Sequence, residues 1–174
     1  MHASSRRRTA SRARSIVLLV ACPALALGLI VRSAGPLSDL APAAGPFDGA
    51  RAKVRIVATP QGSRAVLRVR GIGAVANGQR FGAHLHDGPC VAGNGAAAGP
   101  HYNSHVHGQT AVPGINDRTE IWLDFTVVKG KGTGVTSVPF VPEPGSRSIV
   151  VHALPTNPQT GVAGERVACL TVSW

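Results

Sequence analysis

Acidic side chains are scarce in this sequence. Eight Asp and Glu stand against 18 Lys and Arg, and residues 1–34 contain no acidic residue at all. Aromatics are also few, with four Phe, two Trp and one Tyr, and there are only three cysteines and one methionine. No internal repeat and no heptad pattern is present, which excludes a solenoid or a coiled coil. The chain has 21 Gly, 13 Pro and many short runs of Val. That composition favours short strands joined by turns over a helical bundle. A length of 174 residues leaves room for one ordinary domain and a targeting segment.

The positive charge is uneven. Six of the 18 Lys and Arg lie in residues 1–34, leaving 12 basic against 8 acidic residues in the rest, about +4. The formal charge of +10 is therefore mostly a targeting feature, and nucleic-acid binding is not expected. The positive body can still attract a small anion. Arg6, Arg7, Arg8, Arg12 and Arg14 precede an apolar run over residues 16–31, the layout of an export signal. The run is marginal for a membrane span, which needs about 20 apolar residues. Leu19-Val20-Ala21-Cys22 also fits a lipoprotein processing site that would lipidate Cys22. Cleavage near Ser33-Ala34, or retention as a membrane anchor, are the alternatives. Residues 1–34 are thus expected to be the export signal or anchor, and 35–50, rich in Pro, Ala and Gly, a flexible linker. Residues 51–174 are expected to form the folded domain, outside the cytosol (extracellular, periplasmic or attached to the cell envelope).

Within that domain, alternation predicts strands over 52–60 and 64–70, joined by a turn at Gln61-Gly62-Ser63. Further strands are expected over 80–87, 119–128, 135–141, 148–153 and 165–173. In 119–128, TEIWLDFTVV, Ile121, Leu123 and Phe125 share one face. A long loop, 88–118, separates two of the strands, and loops of that length are usually functional. Regular short strands with turns predict an all-β antiparallel sandwich or barrel of seven or eight strands.

The chemistry concentrates in residues 81–103, FGAHLHDGPCVAGNGAAAGPHYN. His84 and His86 are two apart, so an extended strand projects both imidazoles from one face. His101 follows in a Gly-Pro turn that can bring a ligand back toward that strand. Imidazoles without acidic neighbours suit copper or zinc better than magnesium or calcium. Cys90 and Cys169 are the two cysteines of the body, and in an exported domain they read as a disulfide, the alternative being two free buried thiols.

Four separated motifs now stand in order: Gly82-Ala83-His84-Leu85-His86, Gly99-Pro100-His101-Tyr102-Asn103, Val150-Val151-His152, and residues 161–169, GVAGERVAC. In these, over about residues 52–174, the chain resembles the copper/zinc superoxide dismutase family. The resemblance implies a Greek-key β-barrel of immunoglobulin-like shape. It implies copper ligands His84, His86, His101 and His152, pairing of Cys90 with Cys169, and Arg166 lining the copper channel to attract and orient the superoxide anion. In the family the counterpart of His101 bridges copper to zinc and takes up a proton when copper is reduced, so His101 and Arg166 are the expected catalytic residues. Superoxide would be converted to oxygen and hydrogen peroxide.

The sequence departs from the family pattern in three places. The zinc loop is compressed, leaving His101, His105, His107 and Asp117 as candidate zinc ligands. The connection from His152 to Arg166 is shorter than usual, which resembles the copper-only branch. Cys90 also sits nearer to His86 than usual. These shortened loops motivate an alternative function, a copper-binding or copper-delivery protein on the same fold without efficient turnover. The expected partners are superoxide, no nucleic acid, and a membrane through the N-terminal segment; the oligomeric state is left open.

Overall fold

The computed structural model describes residue 28 and residues 30–174. Most of the expected export segment, Cys22 included, lies outside the described residues. Among the described residues, ten antiparallel strands build the domain, two of the three sheets having four strands each. The first sheet has the order β1 (Ile30–Pro36), β3 (Arg51–Thr59), β4 (Gly62–Arg70), β8 (Lys131–Val138). The second has the order β2 (Ser38–Asp39), β10 (Arg166–Ser173), β9 (Ser146–His152), β6 (Ala83–His86). A two-stranded ladder joins β5 (Arg80–Phe81) to β7 (Phe125–Thr126). The result is an all-β sandwich that does not close into a barrel. Among the described residues, no helix is long and apolar enough to cross a membrane.

The first sheet follows from simple alternation. Ala52, Val54 and Ile56 of β3 and Ala65, Leu67 and Val69 of β4 are buried, while the residues between them are mostly exposed or half-buried. The period-two pattern turns one face of each strand inward. Inner faces of both sheets meet in a single core that includes Ala83, Leu85, Ile149, Val151, Leu170 and Val172. At about 25 cal/mol per Å² of apolar surface, each fully buried Leu, Ile or Val there contributes on the order of 1.5–3 kcal/mol.

Residues 30–34, expected to end the export segment, and the segment 35–50, expected as a linker, are part of the sandwich. Ile30–Pro36 pairs along its whole length with β3, Ser38–Asp39 pairs with β10, and Leu37, Leu40, Phe47 and Ala50 are buried. An apolar residue every few positions anchors this Pro-rich stretch to the core. Residues 119–128 also differ from the expected continuous strand. Only Phe125–Thr126 is regular, and the rest is an irregular ladder against residues 79–86, through Leu123 N to Ala83 O and Leu85 N to Ile121 O. Facing β8 residues are glycines: a side chain on Gly134 would meet the Leu123 carbonyl, and one on Gly132 the Phe125 ring. This close approach carries the segment past the sheet edge.

The second sheet is buried on both faces, which is why β9 reads as an apolar run. Ala83 and Leu85 point into the core, so alternation puts His84 and His86 on the opposite, outer face of that sheet. Val150 and Cys169 share the outer face and pack with Leu40 and Ala98. The long loop, over 87–118, covers it, and the Cys90–Cys169 disulfide fastens the loop to β10.

Candidate metal centre

Four histidines converge under this loop. One nitrogen from each of His84, His86, His101 and His152 lies within 4.8 Å of the others. His84 and His86 come from β6, His152 from the end of β9, and His101 from the loop, bridged to His86. Three are buried and His101 is partly exposed. Gly82, just before β6, permits the close pairing. Its carbonyl accepts from His152 N, and a Cβ there would stand 2.7 Å from Ala163 Cβ and 2.8 Å from Thr156 Oγ1.

The outer nitrogen of each ring is held by a different partner. His86 Nδ1 donates to Gly99 O at 3.1 Å, and His152 Nδ1 to Gly164 O at 3.1 Å. His101 Nδ1 donates to Glu120 Oε2 at 2.7 Å. Thr156 Oγ1 donates to Asp124 Oδ1 at 2.6 Å, so it accepts from His84 Nε2, 2.7 Å away. Each donated proton fixes a tautomer. The nitrogens that remain, His84 Nδ1 and Nε2 of His86, His101 and His152, carry lone pairs. His84 Nδ1 is buried with no hydrogen-bond partner. His86 Nε2 and His152 Nε2 are 3.3 Å apart, two lone pairs that repel unless a cation lies with them. Buried lone pairs left without donors are costly, and a soft divalent or monovalent ion satisfies all four together.

Burial keeps His84, His86 and His152 neutral. Burial, and then the mutual repulsion of neighbouring imidazoles, pushes the His84 pKa far below its usual value. Burial pushes His86 down to about 2 and His152 to about 4. Neutral imidazole is the form that binds a metal.

Arg166 closes the arrangement. A bulge in β10 between Arg166 and Ala168 sets Arg166 opposite His152, and bulges re-aim side chains in this way. Its guanidinium donates to Gly95 O at 2.6 Å and Gly99 O at 2.7 Å. Gly99, at φ +66°, thus presents one carbonyl to both Arg166 and His86, in a backbone conformation that glycine reaches without strain. Arg166, His101 and His152 line an open cavity of about 440 Å³ with Gly161, Val162 and Val106.

The four expected copper-type histidines and Arg166 are therefore brought together, and Cys90 and Cys169 are bonded. The candidate zinc residues are not gathered. His105 is exposed, with Nδ1 toward Thr110 O, and Asp117 is exposed. His107 lies between Asp87 at 3.0 Å and Glu143 at 3.3 Å and stacks on Tyr102, 4.3 Å between ring centroids. Buried Arg147, paired with Asp87 and 4.4 Å over the Tyr102 ring, completes that network. Glu120, Asp124 and Thr156 support the site but were missed by sequence reasoning. The signal was present: in 119–128 the face opposite Ile121, Leu123 and Phe125 carries Glu120, Trp122 and Asp124.

Fold and site define the class of protein: a disulfide-bonded all-β sandwich with a four-histidine group that can hold a metal ion. No protein-family model and no curated protein matches the chain.

Proposed function

We propose that this is an exported superoxide dismutase that uses copper alone. The observation that carries the reading is the convergence of four imidazole nitrogens beside Arg166 at the wall of an open cavity. His84 through Nδ1, and His86, His101 and His152 through Nε2, would hold the ion. Copper bound there supplies one-electron exchange in both directions, so that two superoxide anions and two protons give oxygen and hydrogen peroxide. Arg166 attracts the anion and orients it; its two carbonyl partners hold the guanidinium still while its charge faces the cavity. Glu120 fixes the proton on His101 Nδ1, which limits proton exchange on that ring to Nε2. The same contact occupies the nitrogen that zinc would need, which supports copper without zinc.

The test is superoxide decay over copper-loaded protein, with His84→Ala and His152→Ala as comparisons. Activity well above buffer, lost in both variants, supports the reading; copper-loaded wild type at background sinks it. The short β9–β10 connection favours a second reading. It is a compact excursion closed by Leu154 N to Ala163 O and Asn157 N to Val162 O. A copper-binding or copper-delivery protein would hold the metal there but react slowly with superoxide, and the same assay separates the two.

A further inference from the structure

The outer face of the first sheet is basic across all four strands. Register sets Arg51, Arg70 and Lys131 in one row across β3, β4 and β8. Lys53 lies opposite Arg68, and Arg32 opposite Arg55. All of these side chains are exposed, as is Arg64. Like charges directly opposite destabilise a sheet. The sequence does nothing to relieve them: no Asp or Glu occurs on β1, β3, β4 or β8. Among the described residues, the Lys and Arg ion pairs are those of Arg80 and Arg147, neither on this face. Solubility alone would be served by mixed signs, so a single-sign face that costs stability points to a partner of opposite charge.

We infer that this face docks on an anionic lipid bilayer, through lipid phosphate headgroups. Three observations select that partner. The cations form a two-dimensional array on strands about 4.8 Å apart, matched to a planar charged surface. No aromatic residue lies on these strands, so the stacking platform of a single-strand nucleic-acid binder is missing. The edge strand β1 follows directly in sequence on the apolar run that five arginines precede, the segment expected to be an export signal or membrane anchor. Arg32, Lys53, Arg55, Arg64 and Arg68 also line a depression of about 300 Å³ that can take a headgroup phosphate. The histidine cluster lies on the outer side of the other sheet, so a docked molecule keeps its cavity toward solvent. The inference is independent of the copper chemistry.

The test uses the full chain and vesicles of phosphatidylcholine with and without phosphatidylglycerol, in a sedimentation assay across a salt series. Wild type is expected to bind the anionic vesicles, to release them as salt rises, and to ignore the neutral ones. The triple variant Arg55→Gln, Arg64→Gln, Arg68→Gln is expected to bind about a hundredfold more weakly, because each surface cation contributes about a factor of five. The charge-conserving triple Arg55→Lys, Arg64→Lys, Arg68→Lys is expected to bind like wild type, which separates charge from folding. Undiminished binding by the glutamine triple overturns the inference and assigns binding to the N-terminal segment. So does equal binding to neutral vesicles, or tighter capture by dextran sulfate or duplex DNA at matched anionic charge.

Discussion

Glu120 accepts from three donors at once: His101 Nδ1 at 2.7 Å, Trp122 Nε1 at 2.8 Å and Asn103 Nδ2 at 3.2 Å. It is buried, and its charge makes these hydrogen bonds stronger than neutral ones. Glu120→Gln offers a single acceptor oxygen and turns an amide toward a donor, so the His101 ring loses its fixed tautomer. Copper affinity is expected to fall about 10- to 100-fold, the usual cost of losing a ligand's supporting partner, as measured by competition with a chelator. An unchanged affinity would remove Glu120 from the account. Arg166→Ala is expected to leave copper bound while lowering the rate of superoxide decay and flattening its dependence on salt; a rate and salt slope equal to wild type would contradict the steering role. The ligands were legible because each stands in a short, specific context: a His-x-His strand, a Gly-Pro turn, and the end of an apolar run. Their supports were only partly legible. Glu120 and Asp124 share the polar face of 119–128, but Thr156 lies 32 residues beyond Asp124, and only the fold shows that Glu120 meets His101 while Asp124 holds Thr156 against His84.

The loop over 87–118 and β10 are separate elements joined by the Cys90–Cys169 disulfide, 79 residues apart in sequence. Closing a loop of that length restricts the unfolded chain by about 4–5 kcal/mol in the chain-entropy account. Reduction is expected to lower unfolding free energy on that scale, measured by denaturant titration with and without reductant, and a change below about 1 kcal/mol would contradict a structural role for the bridge. At this scale the sequence was an uneven guide. The β3–β4 hairpin, β9 and β10 follow from alternation or from an unbroken apolar run. β1 was hidden because its residues continue the apolar run of the expected export signal, and local pattern cannot tell the end of one from the start of the other. Residues 119–128 have the alternation of a strand, but their partners include Gly132 and Gly134, whose lack of side chains lets the segment cross close by and leave the regular ladder.

The whole molecule couples its site to its stability through protons. Unfolded, the cluster imidazoles take up protons near pH 6.5; folded, burial holds His152 neutral down to about 4 and His86 to about 2. Between those values the unfolded chain binds more protons, so the metal-free fold loses stability as pH falls from about 6.5 toward 4. His152 alone accounts for ~3 kcal/mol of this loss. The unfolding midpoint of metal-free protein in urea is expected to drop steeply across that window, and a flat profile would mean that His86 and His152 are not buried as described. Two outer faces then divide the work: one sheet carries the histidine cluster under its loop, the other an unrelieved basic array. The central claim concerns the first of these. It is tested most directly by the rate of superoxide decay over protein carrying one equivalent of copper, with loose copper chelated. The account predicts decay far above the buffer rate that vanishes in His152→Ala; decay at the buffer rate in copper-loaded wild type would contradict it.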